Sequence, residues 1–300
     1  MPARYHVVHE TEYRYANTVS VSRQALHLAP REIAWQRCFR CELRIEPAAT
    51  YRVDEIDCYG NPLTRLEIDT PHDRLFVATT LEVEVERPDA LPDDAAIAWT
   101  QAVANLGFVS GRVPTGAQLE AARFRCESPF VPFLAELHAY ALDTFSPGMS
   151  LRAAATALMS RIYRDFRYDT TATHIATPLT EVFGRRRGVC QDFAHLMIGC
   201  LRAVGIPARY VSGYLLTNPP PGTTKLVGAD ASHAWVSAWC GDAGWIDFDP
   251  TNDQLAGLAH ITLAWGRDFG DVSPLRGIII GGGEHELQVR VTVTQQSYSQ

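Results

Sequence analysis

The sequence predicts an α+β protein in which an N-terminal antiparallel β-sandwich precedes a second domain of helices and strands. Residues 5–85 contain repeated runs in which apolar and polar side chains alternate, as they do in half-buried strands. Alanine-rich, helix-prone sequence follows, and a helical apolar pattern begins at Cys190. Segments after residue 209 are then interpreted as a second group of strands.

The strands of the first domain follow from two alternating runs and a turn. Residues 5–15 place an aromatic-rich face opposite a polar one, and residues 74–86 alternate in the same way. Between them, the Tyr-Gly-Asn-Pro sequence at 59–62 is typical of a turn. Repeated short amphipathic strands with such turns predict a sandwich over residues 1–88, which ends where the composition changes at 87–89.

The second domain, residues 89–300, is predicted to begin with a helical segment that reaches about residue 150. One helix is expected over residues 129–144. Ser150 is a suitable N-cap for the next, because apolar residues recur at helical spacing after it. A final alternating strand, residues 287–294, is placed in this domain as well.

The helix that begins at Cys190 has a clear apolar face and a clear end. The face consists of Phe193, Met197, Cys200, Leu201 and Val204. Gly205 and Pro207 form a typical stop signal. Residues 210–215, 233–239 and 245–249 are then predicted to be strands.

Composition and charge narrow the range of functions. A formal net charge of −7 disfavours nucleic-acid binding, which depends on clustered positive charge. No apolar stretch approaches the roughly 18–20 residues that cross a bilayer. The first 15 residues contain no apolar signal-peptide segment. We therefore expect a cytoplasmic protein with no nucleic-acid or membrane partner.

The cysteine and histidine patterns do not indicate a disulfide framework or a metal centre. The seven cysteines are an odd, scattered set. Cys38 and Cys41 form a CxxC motif, but strand alternation places them on opposite faces, and no second pair follows at zinc spacing. The histidines form no cluster along the chain, so we expect no metal and no cofactor.

Cys190 is the candidate nucleophile because it lies at the start of a helix. The free backbone N–H groups and the dipole of a helix N-terminus favour an anion such as a thiolate. Cys200, on the apolar face, is interpreted as an ordinary buried cysteine. A charge at Asp192 near the sulfur would oppose a thiolate. We therefore expect the Asp192 side chain to point away, into a structural hydrogen bond.

A thiol nucleophile requires an imidazole to move its proton and a carboxylate to orient that imidazole. His233 opens one predicted strand and Asp249 closes the next, so an antiparallel hairpin would place them side by side. Asp247 is the competing carboxylate, farther from His233 by the same argument. His195 is the competing histidine, but it is rotated away from the helix start and is interpreted as a structural residue.

Four segments together resemble the core of bacterial transglutaminase-like proteins. They are RGVCQDFAH (187–195), RAVGIPARYVSGY (202–214), SHAW (232–235) and GWIDFDPTN (244–252). Residues 5–15 and 28–31 are similar to the N-terminal β domain that accompanies this core, and residues 266–277 to its C-terminal segment. The resemblance implies a papain-like core, in which a cysteine-bearing helix packs on an antiparallel sheet, and a catalytic triad of Cys190, His233 and Asp249.

The activity implied is attack of the thiolate on an amide of a peptide or protein substrate, through a thioester. Water as acceptor would give a cysteine peptidase or amidase, which we favour; an amine would give a protein-glutamine gamma-glutamyltransferase. A non-catalytic binding module on the same fold is the third alternative. The Cys190 N–H supplies one oxyanion donor, and Tyr168 and Gln191 are candidates for the second.

Two further expectations concern the surroundings of this site. Residues 217–230, with three prolines, are expected to border the cleft. Arg267, Asp268 and Asp271 are expected to form a structural network. No acidic loop of calcium-binding pattern is present in the sequence, so calcium activation is not expected.

Overall fold

The computed structural model describes residues 2–86, 97–107, 110–111, 113–217 and 232–296 of the 300-residue chain. Across these residues the sheets are mostly antiparallel, and the helices lie between two groups of strands in the sequence. The predicted α+β class is therefore confirmed. The predicted boundary at 87–89 lies outside the described residues and stays a prediction. No helix in the described ranges is long and apolar enough to cross a membrane.

The described residues form strands and helices with the following bounds. The strands are β1 (Ala3–Leu26), β2 (Gln36–Glu46), β3 (Tyr51–Ile56), β4 (Pro62–Ile68), β5 (His72–Val85), β6 (Arg167–Tyr168), β7 (Arg187–Gly188), β8 (Ala208–Leu215), β9 (Ser232–Trp239), β10 (Trp245–Asp249), β11 (Gln254–Leu255), β12 (His260–Gly266), β13 (Leu275–Gly281) and β14 (His285–Gln296). The helices are α1 (Trp99–Asn105), α2 (Gly116–Ala122), α3 (Ala135–Leu142), α4 (Leu151–Asp165), α5 (Leu179–Arg185), α6 (Cys190–Ala203) and α7 (Phe269–Val272).

The N-terminal sheet has seven strands and is organised around the long strand β1. The first half of β1 pairs with β5 and β14, and its second half with β4 and β13. The register along β5 shifts between Arg14 and Val19, where the two halves of β1 meet. Both halves of the sheet contribute to one buried cluster, which includes Leu26, Leu66, Ile68, Leu75 and Val77. The sheet is therefore curled so that its halves face each other.

The last two strands of the chain belong to this N-terminal sheet. Tyr15 lies opposite His285 in β14, and Leu26 lies opposite Leu275 in β13. The sequence analysis placed the C-terminal strands in the second domain, and the register corrects that placement. Alternation shows which side chains share a face, but it does not show which strand is the partner.

A β-bulge changes the geometry of the CxxC motif. The register of β2 against β5 shifts between Cys38 and Arg40, so that Cys38 lies opposite Val83 and Cys41 opposite Leu81. Because Val83 and Leu81 share a face, the two cysteines do as well. The prediction of opposite faces is wrong, since the bulge inserts one extra residue. Both thiols are free, and burial raises the pKa of Cys38 to about 11.

The helical segment is confirmed in part. Helix α3 is shorter than the predicted range of 129–144. Pro132 disfavours helical backbone at the residue before it, Val131, which instead forms a β-bridge with Ser128. Ser150 begins α4 as predicted, and its side chain accepts a hydrogen bond from a backbone N–H of the first turn.

The second sheet has five strands in the order β11-β10-β9-β8-β12, and α6 packs on β8 and β9. The predicted apolar face of α6, including Phe193, Met197 and Cys200, is buried in the main hydrophobic core. Gly205, with φ at +86°, follows the helix, in agreement with the predicted stop.

The two sheets pack directly on each other. Tyr5, Val7 and Val291 of the N-terminal sheet are buried with Tyr214 and Ile261 of the second. The Nδ1 atom of buried His9 also lies 2.8 Å from the Tyr214 hydroxyl oxygen. This contact holds the first half of β1 beside the strands that carry the site described next.

Candidate active site

Cys190 is the first residue of α6, and its side chain is half-buried. The chain enters the helix through Gly188, at which a Cβ atom would lie only 2.6 Å from Oδ2 of Asp192. The glycine therefore permits a close approach that any side chain would obstruct. The sulfur lies at the end of the helix where backbone N–H groups lack intrahelical acceptors.

His233 and Asp249 lie on neighbouring strands, β9 and β10, which form the predicted hairpin through a short 3-10 turn. Nε2 of His233 is 2.9 Å from Oδ2 of the fully buried Asp249. Because Nε2 faces Asp249, Nδ1 is the nitrogen left for Cys190, whose side chain is a hydrogen-bond partner of His233. The structure thus brings the three predicted residues together.

The surroundings of His233 stabilise its protonated form. Burial favours the neutral ring, but the hydrogen bonds to Asp249 and Cys190 outweigh burial and raise the pKa of His233 to about 10. Burial also disfavours a charged Asp249. Its hydrogen bonds with His233 and His260 nevertheless hold the pKa of the Asp249 carboxyl well below its usual range. The pair is therefore an imidazolium beside a carboxylate.

Asp249 has three further partners that the sequence analysis did not identify. Its Oδ2 atom accepts hydrogen bonds from Asn252 Nδ2 at 2.7 Å and from His260 Nε2 at 3.2 Å, and Oδ1 accepts one from the Thr251 N–H at 3.0 Å. Thr251 and Asn252 follow Asp249 within three residues, so the sequence alone indicates that they lie near it. His260 is on β12, at the opposite end of the sheet order, and no sequence pattern indicated it.

His233, Asp249 and His260 also form a group that could hold a metal ion, since one ligand atom from each lies within 4.8 Å of the others. The sequence shows no such group because His233 and His260 come together only in the folded chain. However, Nδ1 of His260 accepts the Gly257 N–H at 3.2 Å, which puts the proton of a neutral ring on Nε2. That proton points to Asp249, so the observed hydrogen bonds suit a proton network better than metal ligation.

The two competing residues have structural partners. Oδ2 of Asp247 accepts a hydrogen bond from the Trp235 indole N–H at 3.0 Å. His195 is buried, and its Nε2 accepts the Phe269 N–H at 3.1 Å. Burial lowers the pKa of His195 to about 3, which keeps the ring neutral. Asp247 and His195 are therefore structural residues, in agreement with their lower rank as catalytic candidates in the sequence analysis.

Asp192 makes the structural hydrogen bonds that the sequence predicted. Its buried Oδ2 atom accepts the Val189 N–H at 2.8 Å and the Thr173 hydroxyl at 2.6 Å. Burial raises the pKa of Asp192, although both hydrogen bonds act in the opposite direction. The side chain therefore fixes the start of α6 and ties it to the preceding loop.

Replacing Asp192 with alanine is expected to lower the free energy of unfolding by about 1–3 kcal/mol, because two donors lose their acceptor. Urea denaturation measures this loss. Glu181→Ala removes a partly exposed first-turn carboxylate from α5 that pairs with Arg185; it is the control and should cost little. The rate of Cys190 alkylation in the folded Asp192→Ala protein should stay near wild type. A large change in that rate would contradict a structural role.

The residues Arg267, Asp268 and Asp271 form the expected structural network. The Arg267 guanidinium donates to Asp271 through Nε at 2.9 Å and NH2 at 3.0 Å. Asp268 is buried and accepts the backbone N–H groups of Gly270 and Phe130. These contacts fix the turn that leads from β12 into α7.

Cys190 and His233 line one cavity of about 320 Å³. Of the two candidates for a second oxyanion donor, Gln191 lines this cavity, and its Nε2 donates to the Ile175 carbonyl at 3.4 Å. Burial raises the pKa of Tyr168, and the charge of Cys190 acts in the same direction. Both remain candidates. Residues 218–230, expected to border the cleft, lie outside the described residues.

Comparisons with known proteins identify the family of this chain. The bacterial transglutaminase-like N-terminal region matches residues 5–84, and the transglutaminase-like superfamily matches residues 139–250. An uncharacterized protein of Mycobacterium tuberculosis is 40% identical over 289 residues, which cover 95% of this chain and 90% of that relative. The chain belongs to the transglutaminase-like superfamily.

This transglutaminase-like protein also matches one enzyme over part of its sequence and one crystal structure over its whole length. A protein-glutamine gamma-glutamyltransferase of Pseudomonas aeruginosa is 36% identical over 107 residues, or 33% of this chain and 16% of that enzyme. A crystal structure from Cytophaga hutchinsonii, provisionally described as a cysteine protease, superimposes with a TM-score of 0.76. The superposition includes 100% of this chain and 92% of the Cytophaga hutchinsonii chain, and the two sequences are 19% identical. The two proteins therefore share the fold.

Proposed function

We propose that this protein is a thiol-dependent enzyme that hydrolyses amide bonds in a peptide or protein substrate. The observation that carries the proposal is the hydrogen-bonded chain of Cys190, His233 and Asp249 at the start of a helix, open to a cavity. Nucleophile, base and orienting carboxylate are the groups that this chemistry requires.

The proposed reaction has two halves. The Cys190 sulfur attacks the amide carbonyl carbon, and His233 gives its proton to the departing nitrogen as the C–N bond breaks, leaving a thioester on Cys190. His233 then takes a proton from water, and the resulting hydroxide attacks the thioester. The C–S bond breaks, a carboxylic acid leaves, and the Cys190–His233 pair is restored. Asp249 holds the His233 ring in the required tautomer throughout.

Transfer to an amine is the second candidate, because the matching segment of the Pseudomonas aeruginosa protein belongs to a gamma-glutamyltransferase. The cavity supports water as the acceptor. Among the described residues that line it, there is no aspartate or glutamate to attract the ammonium group of a lysine. A lysine acceptor would therefore approach the thioester without an acidic partner.

Alkylation by iodoacetamide tests the nucleophile without a known substrate. We expect Cys190 to react faster than Cys58 and Cys126, although these two are exposed and Cys190 is half-buried. His233→Ala should slow alkylation at Cys190 alone, because it removes the partner that stabilises the thiolate. Mass spectrometry of the modified peptides measures all three sites in the same molecule.

The comparison of sites makes the outcome independent of reagent concentration. If Cys190 reacts no faster than Cys58 and Cys126, and His233→Ala changes nothing, the fold lacks the proposed chemistry. A binding module would then be the better description of this protein.

A second experiment distinguishes water from an amine as acceptor. The protein is incubated with a peptide library in H₂¹⁸O that also contains dansylcadaverine. Hydrolysis places one ¹⁸O atom in each new carboxyl group, whereas transfer places the dansyl amine on glutamine side chains. We expect ¹⁸O incorporation that Cys190→Ala abolishes; dansyl incorporation without ¹⁸O would establish the transferase instead.

A further inference from the structure

The cavity at Cys190 is formed by both sheets. Its inner wall belongs to the second sheet and α6, whereas its outer wall comes from one face of β1 and β14. In that face Thr11 lies opposite Val289, and Tyr13 opposite Leu287. The N-terminal sheet is therefore part of the site that contains the nucleophile.

The packing of the sheets explains why this face opens into a cleft. Near the start of β1, Tyr5 and Val7 are buried against the second sheet, together with Val291. Farther along the same face, Leu287 and Val289 are 50% and 47% exposed. The two sheets are therefore in contact near the start of β1, whereas the aliphatic side chains of β14 that line the Cys190 cavity stay exposed.

The outer wall contains no charged group. The cavity lining within the described residues includes no aspartate, glutamate, lysine or arginine. Its two histidines are His233 and His9, and burial lowers the pKa of His9 to about 4, so that this ring is neutral. A charged substrate group placed against this outer wall would lose water without gaining a partner in the wall, whereas an apolar group would cover Leu287 and Val289.

We propose that the N-terminal sheet selects the substrate, and that Leu287 and Val289 hold a large uncharged apolar side chain of the peptide next to the scissile amide. This inference rests on the proposed function and adds the substrate class to it. The cavity of about 320 Å³ lies at the lower end of the usual range for ligand sites. It suits one or two side chains of an extended peptide.

A set of peptidyl vinyl sulfones tests the proposal on the full-length protein. The probes carry leucine, phenylalanine, glutamate or lysine at either of two positions before the electrophile, and glycine elsewhere. We expect the leucine and phenylalanine probes to label Cys190 at least about 100-fold faster than the charged probes at one of these positions. Iodoacetamide, which has no side chain, measures the intrinsic reactivity of Cys190 in each protein.

Variants of the outer wall test whether Leu287 and Val289 cause the preference for apolar probes. Val289→Lys and Leu287→Asp should lose the preference for leucine when each probe rate is divided by the iodoacetamide rate of the same variant, a ratio that removes the effect of the new charge on the thiol. Val289→Lys should also label faster with the glutamate probe than wild type does. Ile278→Asp and Ile280→Asp are the matched controls. They place a charge on exposed aliphatic residues of β13, in the same sheet but outside the cavity lining, and should label as wild type.

The outcomes separate the two proposals. Equal rates for all probes in wild type and variants, with normal iodoacetamide labelling, would overturn the selecting wall and leave the thiol chemistry in place. Failure of iodoacetamide to label Cys190 selectively would overturn both. Thermal unfolding of the variants and controls shows whether a lost preference reflects the cavity or a misfolded sheet.

Discussion

Replacing Cys190 with alanine is expected to abolish amide hydrolysis, with a fall of about 10⁶-fold in kcat for a substrate found in the ¹⁸O experiment. No other described side chain in the cavity is a thiol, so neither the acyl-enzyme nor its hydrolysis can occur in the variant. The loss should appear in kcat, since the cavity that binds the peptide is retained.

Cys126→Ala is the matched control, because this cysteine is exposed and lies outside the site. It should hydrolyse the substrate at the wild-type rate. The Cys190→Ala protein should unfold at nearly the wild-type temperature, since a half-buried thiol is replaced by a smaller side chain. Full activity in Cys190→Ala would mean that another group is the nucleophile, and the proposed function would fail.

Replacing Asp249 with asparagine is expected to lower kcat by about 10⁴-fold. The asparagine amide can donate to Nε2 of His233, which would place the ring proton on Nδ1, the nitrogen that faces Cys190. His233 could then no longer receive the thiol proton. Asp247→Asn is the control. It makes the same change two residues earlier on β10, and its side-chain oxygen can still accept the Trp235 N–H.

The pH dependence of Asp249→Asn should change as well. Asp249 contributes to the raised pKa of His233, about 10, so its removal lowers that pKa. Protonated His233 is then lost at lower pH as the pH rises. A neutral His233 no longer stabilises the thiolate, so the rise of Cys190 alkylation with pH should move to higher pH. An unchanged profile in Asp249→Asn would show that the carboxylate does not control His233.

Much of the site could be predicted from local patterns. The helix that begins at Cys190 follows from a 3.6-residue period and a stop formed by Gly205 and Pro207. The hairpin of His233 and Asp249 follows from two predicted strands around a short turn. These features depend on residues close in the chain. The catalytic roles of the three residues, and the expected cytoplasmic location, stay predictions until they are measured.

Other predictions failed where a single residue changed the local geometry. The bulge between Cys38 and Arg40 moved the CxxC cysteines to one face, although their spacing had indicated opposite faces. Pro132 kept the segment before α3 out of the helix. Alternation assumes that every residue advances the strand equally, and a bulge breaks that assumption.

The sequence by itself determined which side chains share a face, where the cysteine-bearing helix starts, and that His233 and Asp249 are neighbours. Only the tertiary structure decided that His260 reaches Asp249, that β13 and β14 complete the N-terminal sheet, and that Leu287 faces the cleft. The physical reason is that these contacts join segments far apart in the chain. Periodicity fixes the orientation of a strand's side chains, whereas its partner is chosen by how all the apolar faces can be buried at once.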